Sequence, residues 1–382
     1  MRIDETNMKE KQYLFCPGPV MVSEKVRQAL LHPDMCHRVP SFENIIQNVQ
    51  NKLLEVYKAN EDYAILLITG SGTAANETVI SSCFTADDEV LLISNGEFGD
   101  RLEELLQIHK VKADILKYEW GKRPDVSDVE RKLKANRHIT TMMMVFHETS
   151  TSVVNPVKEV GELAARYGKT YIVDGVSALA GEDVDVVRDH IDFCTSSSNK
   201  CLASFPGVGI ICAKKSKIEK TKKNRTRVAY LNLYRVYQMS ENLHQTPNTP
   251  SVTMFIALEA AVQRLLEEGL AEQINRHQRC ARMIRDGVRK MGLRLLVEDK
   301  VASNTVSSVF LPAEISMADF IGTMEEKGFT VYAGKGPLKP QNMFQIANMG
   351  EIDEEMCHVF LKTMEETLAD FTPMLHKQHG KE

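Results

Sequence analysis

Residues 64–77 read AILLITGSGTAANE: an apolar run, a glycine-rich turn and the opening of a helix. The run Ala64–Thr69 has no polar alternation, so it fits a strand covered on both faces, as in a parallel sheet. Gly70-Ser71-Gly72-Thr73 then feeds the helical stretch AANETVISSCF. Backbone amides at such a helix start, approached closely because glycine has no side chain, form an anion site that the Ser71 and Thr73 hydroxyls can complete. A phosphate is its natural occupant, and a plain strand-to-helix turn is the blander alternative.

Working outward, the same kind of run recurs at Glu89–Ile93, Thr141–Phe146, Thr170–Val173, Asp192–Thr195 and Val208–Ala213, separated by amphipathic helical stretches. The pattern predicts a mostly parallel sheet clothed in helices. Pro206 and Gly207 leave no room for a crossover between the last two runs, which predicts an antiparallel hairpin inside that sheet. Helical spacing over Val252–Glu268, a break at Gly269 and a second helix to Lys290 lead into three short strand candidates. These are Leu293–Val297, Thr305–Phe310 and Thr330–Ala333, with a helix over Met317–Lys327, and together they predict a smaller α+β domain. The expected division is an N-terminal arm over 1–20, a large domain over 21–268 and a small domain over 269–382.

A chain of 382 residues is long enough for two compact domains. With 43% hydrophobic and 26% charged residues it is neither disordered nor fibrous. The 47 basic residues against 52 acidic ones leave a net charge of -5, which argues against nucleic acid as a partner. A local basic run, Lys214 to Arg227, reads as a solvated connector. Eight cysteines without a CxxC pair predict reduced core thiols of a cytosolic protein, not a disulfide framework or a metal site. The opening MRIDETNMKEKQ has no apolar h-region, and no apolar stretch reaches the ~20 residues that span a bilayer. A cytoplasmic protein without a membrane partner is expected.

Two further residues stand at strand ends, where ligands bind in an open α/β sheet. Asp174 closes the strand YIV, where a helix N-cap is the alternative reading. Lys200 follows DFCT through Ser196-Ser197-Ser198-Asn199, and a desolvated lysine there can form a Schiff base with a carbonyl, although a surface lysine is commoner. An anion cradle, a carboxylate and a lysine are together what pyridoxal phosphate needs: a phosphate site, a counterion for the ring nitrogen and an amine for the aldehyde. A rival is dinucleotide binding, because Gly70-x-Gly72-x-x-Ala75 matches the relaxed fingerprint of NAD-dependent oxidoreductases. The strand EVLLI ends in Ser94 and Asn95, without the acid that would hold the ribose, which weakens it.

The chain resembles the class V, fold-type I aminotransferases, and within them the 2-aminoethylphosphonate branch. The resemblance runs from Phe15-Cys16-Pro17-Gly18-Pro19 to Met349-Gly350. Its most specific segments are GSGTAANE (70–77), SNGEFGDR (94–101), HETSTSVVNP (147–156), IVDGVSAL (172–179), SSSNKCLASFPGVG (196–209) and YAGK (332–335). It implies a large, mostly parallel seven-stranded sheet domain with a smaller C-terminal α+β domain. It implies Lys200 as the anchoring and proton-carrying lysine and Asp174 as partner of the ring nitrogen. Ser71, Gly72 and Thr73 would hold the phosphate, with Thr151, Ser177 and Asn199 around the cofactor and Leu102 covering its ring face. Thr246 would reach the phosphate of a neighbouring subunit, which implies a homodimer with shared sites.

Three positions depart from the family pattern. Ser152 stands where glycine is usual, and Cys36-His37-Arg38 follows the general class V pattern. Gln345, in Phe344-Gln345-Ile346-Ala347, replaces the arginine that grips an anionic substrate, which leaves Arg38 and Lys335 as substitute cations. The implied reaction moves an amino group from a small primary amine, such as 2-aminoethylphosphonate, to a 2-oxo acid such as pyruvate. Alanine–glyoxylate transamination and a pyridoxal-phosphate lyase on the same scaffold are the alternatives.

Overall fold

The structure, a computed structural model, describes residues 12–224 and 228–378. The first eleven residues and the Arg225–Arg227 end of the basic run lie outside them. The large sheet is built from β1 (Tyr63–Thr69), β2 (Glu89–Ser94), β3 (Lys112–Lys117), β4 (Thr141–Val145), β5 (Thr170–Asp174), β6 (Phe193–Ser197) and β7 (Val208–Lys214). Their order is β1-β7-β6-β5-β4-β2-β3. Only β7 runs against its neighbours, pairing Gly209 with Ser197 of β6 and Thr69 of β1 with Val208. The expected hairpin and parallel sheet are both present.

Both faces of the sheet are covered, which is why its strands carry unbroken apolar runs. Ile65, Leu67, Met142 and Met144 enter one buried cluster, whereas Leu66, Ile68, Met143 and Val145 enter the other. The first cluster includes α1 (Pro40–Val56), and the second includes α2 (Gly72–Cys83) and α3 (Glu97–Ile108). Strand β3, KADILK, has no counterpart among the apolar runs. It is the sheet edge, has a lysine at each end and is nowhere fully buried, so its sequence lacks the signature of a covered strand.

Helix α4 (Val252–Glu268) ends at Gly269, whose φ of +91° breaks it from α5 (Leu270–Lys290). Beyond lie β8 (Arg294–Leu295), β9 (Val306–Phe310), α6 (Met317–Glu326), β10 (Tyr332–Ala333), β11 (Met343–Ala347) and α7 (Glu354–Gln378). The four strands form an antiparallel sheet ordered β8-β9-β11-β10. Strand β11, absent from the strand candidates, occupies an interior position. Its short MFQIA sequence gains its status from two neighbours distant in sequence. The arm joins this unit: Tyr13–Leu14 pairs with Phe329–Thr330, and the Phe15 ring stacks on Phe360 at 4.2 Å.

All eight cysteines are free, six of them buried; Cys36 is exposed and Cys83 half-buried, unlike the core thiols expected. Among the described residues no cluster of His, Cys, Asp and Glu could hold a metal, and no helix is long and apolar enough to cross a membrane.

Candidate active site

The C-terminal ends of β1, β5 and β6 bring the sequence-predicted groups to one edge. After β1, Gly70 has φ +153°, outside the reach of ordinary side chains, and a Cβ on Gly72 would lie 2.5 Å from Val176. The turn is thus pressed against the loop that follows Asp174. Ser71 is the N-cap of α2 in extended conformation but makes no side-chain cap bond. The helix start therefore keeps its amides and the Ser71 hydroxyl for something outside the chain.

Asp174 ends β5 and is buried. Its Oδ1 accepts from Val176 N at 2.9 Å and its Oδ2 from Asn76 Nδ2 at 2.7 Å. Asn76 Oδ1 in turn accepts from Thr195 Oγ1 at 2.5 Å, so the carboxylate is held by both α2 and β6. Burial raises its proton affinity, opposed by the Val176 amide and Asn76 and more weakly by Arg101 and Lys200. Lys200 lies three residues past β6, and burial holds its amine below the usual lysine range. Asp174 favours the ammonium form and Lys335 opposes it.

The segment Cys16-Pro17-Gly18-Pro19 lies directly on this lysine. Lys200 Nζ donates to Pro17 O, and a Cβ on Gly18 would come within 2.7 Å of Nζ. Tyr332 of β10 donates from its hydroxyl to Gly18 O at 3.4 Å, which ties the small domain to the strap.

The hairpin His147–Glu148 with Val153–Val154 carries a buried tip, Thr149 to Ser152. Glu148 accepts from Gly99 N at 3.0 Å and Ser150 Oγ at 2.5 Å, and burial pushes its carboxyl up to about 7. His147 Nδ1 pairs with Ser177 O at 3.2 Å, whereas its Nε2 is buried without a partner among the described residues. Burial lowers this imidazole to about 4, so it is neutral at pH 7. Thr151 Oγ1 donates to Glu148 O at 3.3 Å.

Other positions fall elsewhere or are already engaged. Leu102 is 1% exposed, packed in the core cluster between α3 and the sheet, while Phe98 one turn earlier is half-buried with the Arg101 guanidinium 4.9 Å from its ring. Arg38 Nη1 donates to Gln245 Oε1 at 2.5 Å and Thr246 O at 2.9 Å, and Thr246 Oγ1 donates to Asn248 O at 2.7 Å. Lys335 pairs with Glu97 at 3.2 Å. Gln345, on β11, donates from Nε2 to Thr149 O. Ser177 is buried and Asn199 half-buried beside Lys200 in sequence.

Sequence reasoning assigned no role to Asn76, His147, Glu148 or Tyr332. A signal existed for the first three. Asn76 is a polar residue one turn into a helix that opens on glycine, threonine and alanine, and His147-Glu148 follows a strand end directly. Tyr332 had none.

The sequence profile described as aminotransferase class-V matches residues 23–350. An uncharacterized aminotransferase of Methanocaldococcus jannaschii is 37% identical over 356 residues, covering 93% of this chain and 91% of that protein. A 2-aminoethylphosphonate–pyruvate transaminase of Salmonella enteritidis is 33% identical over 353 residues, covering 90% and 95%. Among solved structures, ureidoglycine–glyoxylate aminotransferase from Bacillus subtilis superposes with a TM-score of 0.87 at 27% identity, covering 94% of this chain and 93% of that one. The alanine–glyoxylate aminotransferase of Nostoc gives 0.88 at 25% identity, covering 96% and 98%.

Proposed function

The chain belongs to the class-V aminotransferases, a pyridoxal-phosphate-dependent family of fold-type I, and from that premise we propose that it moves an amino group from a small primary amine to a 2-oxo acid such as pyruvate. The observation that carries the reading is the half-buried Lys200, its amine held below the usual lysine range, just past the strand next to the one that the buried carboxylate of Asp174 closes, at the sheet edge shared with an uncapped helix start.

These residues fit pyridoxal phosphate. Ser71, Gly72 and Thr73 offer uncommitted donors for its phosphate, and Asp174 offers a buried carboxylate that gains most from a cation against it. The unpartnered His147 Nε2 supplies a further polar atom in the same neighbourhood. Thr151, Ser177 and Asn199 are assigned to the cofactor's surround. The ring-covering role moves from Leu102, whose side chain is spent in the core, to Phe98. When bound, the cofactor supplies an electron sink for the carbanion left on loss of the donor's α-proton.

The chain's own residues do the rest. Lys200 would hold the cofactor's aldehyde, and its Nζ, once free of it, would hold and move the proton lost from the donor's α-carbon. A burial-lowered amine suits that task, because it reaches the neutral form nearer to neutral pH. Asp174, oriented by Asn76, would hold the cofactor's ring nitrogen in its protonated form. The reading includes a cytoplasmic homodimer in which Thr246 serves the neighbouring site, and the eight free cysteines support a reducing compartment. The 2-aminoethylphosphonate transaminase relatives make that amine the first donor to test.

An absorption spectrum of purified protein tests the reading. Yellow absorbance that borohydride abolishes, and that a primary amine converts and pyruvate restores, is the expected result. A colourless protein that binds NAD overturns it.

A further inference from the structure

Gln345 lies mid-strand in β11, directly opposite Ser308 of β9 on one side and Tyr332 of β10 on the other. Opposed residues of an antiparallel pair share a face of the sheet. On this face Tyr332 reaches Gly18, which rests on Lys200, and Gln345 reaches Thr149 of the large-domain hairpin. The flanking Phe344 and Ile346 turn the other way, into the small-domain core. Position 345 therefore looks towards the reacting lysine across the seam between the domains.

The orientation of its amide is fixed from behind. Thr149 O can only accept, so the atom facing it is Nε2, and the same nitrogen lies 3.4 Å from Ser308 Oγ. Ser308 Oγ is 2.7 Å from Ser152 Oγ. Ser152 holds its place at φ +65°, a region where non-glycine residues are uncommon, and its carbonyl accepts from Ser303 N at 3.0 Å. Both N–H donors of Gln345 are thus turned inward. Its Oε1 has no partner among the described residues, yet it is not one of the sealed unpartnered atoms such as Thr149 Oγ1 and Ser307 Oγ. The surface offered at this position is a hydrogen-bond acceptor.

We propose that Gln345, locked by Ser308 and Ser152, sets donor specificity by presenting Oε1 to the far end of the amine. That end then carries a hydrogen-bond donor, such as a hydroxyl, an amide N–H or a second ammonium, and not a carboxylate or phosphonate. An anion would meet the lone pairs of Oε1, while both N–H groups that could answer it are engaged elsewhere. Ser308 and Ser152 are positioning residues: they act on the substrate only through the direction of the amide. The inference rests on the aminotransferase reading and narrows it to a substrate class.

The test uses the cofactor-loaded enzyme and follows conversion of its absorbance by aminoethanol, 1,2-diaminoethane, glycinamide, 2-aminoethylphosphonate, taurine and β-alanine. Dissociation constants of the same amines on Lys200→Ala, measured by calorimetry, separate binding from turnover. The expected result is a kcat/KM at least tenfold higher for the neutral and cationic amines than for the anionic ones, carried mainly by KM. Gln345→Arg should reverse the order, and Ser308→Ala, a milder change that keeps Gln345, should shrink the gap several-fold. A wild-type preference for the anionic amines, or a preference that neither variant moves, overturns the inference while leaving the aminotransferase reading intact. An enzyme whose absorbance no amine converts refutes that reading, and this inference with it.

Discussion

Asn76 donates to Asp174 at 2.7 Å from one turn inside α2, so the helix whose start forms the candidate phosphate site also grips the carboxylate assigned to the ring nitrogen. In the proposed site, two ends of the cofactor would thereby be referred to a single rigid element. A cofactor held this way is positioned by helix geometry, with little left to loop conformation.

The Asn76→Ala variant should fold but bind pyridoxal phosphate about 10–100-fold more weakly, because a hydrogen bond to a charged group is worth ~1.5–3 kcal/mol. Fluorescence titration of the cofactor-free protein reads this directly. An unchanged affinity would show that the Asn76–Asp174 bond is structural only.

Replacing Lys200 with alanine should leave the fold intact and abolish cycling, since the proposed anchor and proton carrier are one amine. Proton transfer alone contributes roughly 10²–10⁴ in rate. Steady-state turnover beside a circular-dichroism melt is the check, and wild-type-like turnover rejects the assignment.

Gly18→Ala tests the strap. Its φ of +127° disfavours a side chain, and an added Cβ would come within 2.7 Å of Lys200 Nζ, so a methyl group there must push the lysine side chain aside. Turnover should fall at least tenfold, corresponding to ~1.4 kcal/mol, with a smaller change in overall melting temperature. If the variant turns over normally, the strap does not position the lysine.

Glu182 predicts a pH dependence of stability. Its carboxylate, buried between the large and small domains, accepts from Asn304 N and Nδ2, both at 2.7 Å. Burial raises it to about 8, against the Asn304 bond and the Arg285 charge. An unfolded glutamate titrates near ~4.3, so between these values the folded chain binds more protons than the unfolded one. The contribution is fully present below the unfolded value and is lost as pH rises through about 8. Melting temperature should therefore decline from pH 6 to pH 9 in the wild type and more shallowly in Glu182→Gln. Parallel profiles for the two proteins would contradict the assignment.

The amino-acid sequence by itself determined the parallel sheet, the β6–β7 hairpin and the candidate groups at the sheet edge. Burial on both faces writes an unbroken apolar run, and a strand end followed by glycine, aspartate or lysine is a local pattern. Strand β3 escaped because a sheet edge is half-solvated, and β11 because its status comes from β9 and β10, not from its own residues. Leu102 and Phe98 sit on the same helix one turn apart, and only the packing of α3 on the sheet decided which of them is buried in the core. The Asn76 grip on Asp174, the strap over Lys200 and the inward-turned amide of Gln345 were likewise decided by tertiary structure. Their partners lie 98, 183 and 196 residues away in the chain, a separation at which no local periodicity carries information about contact.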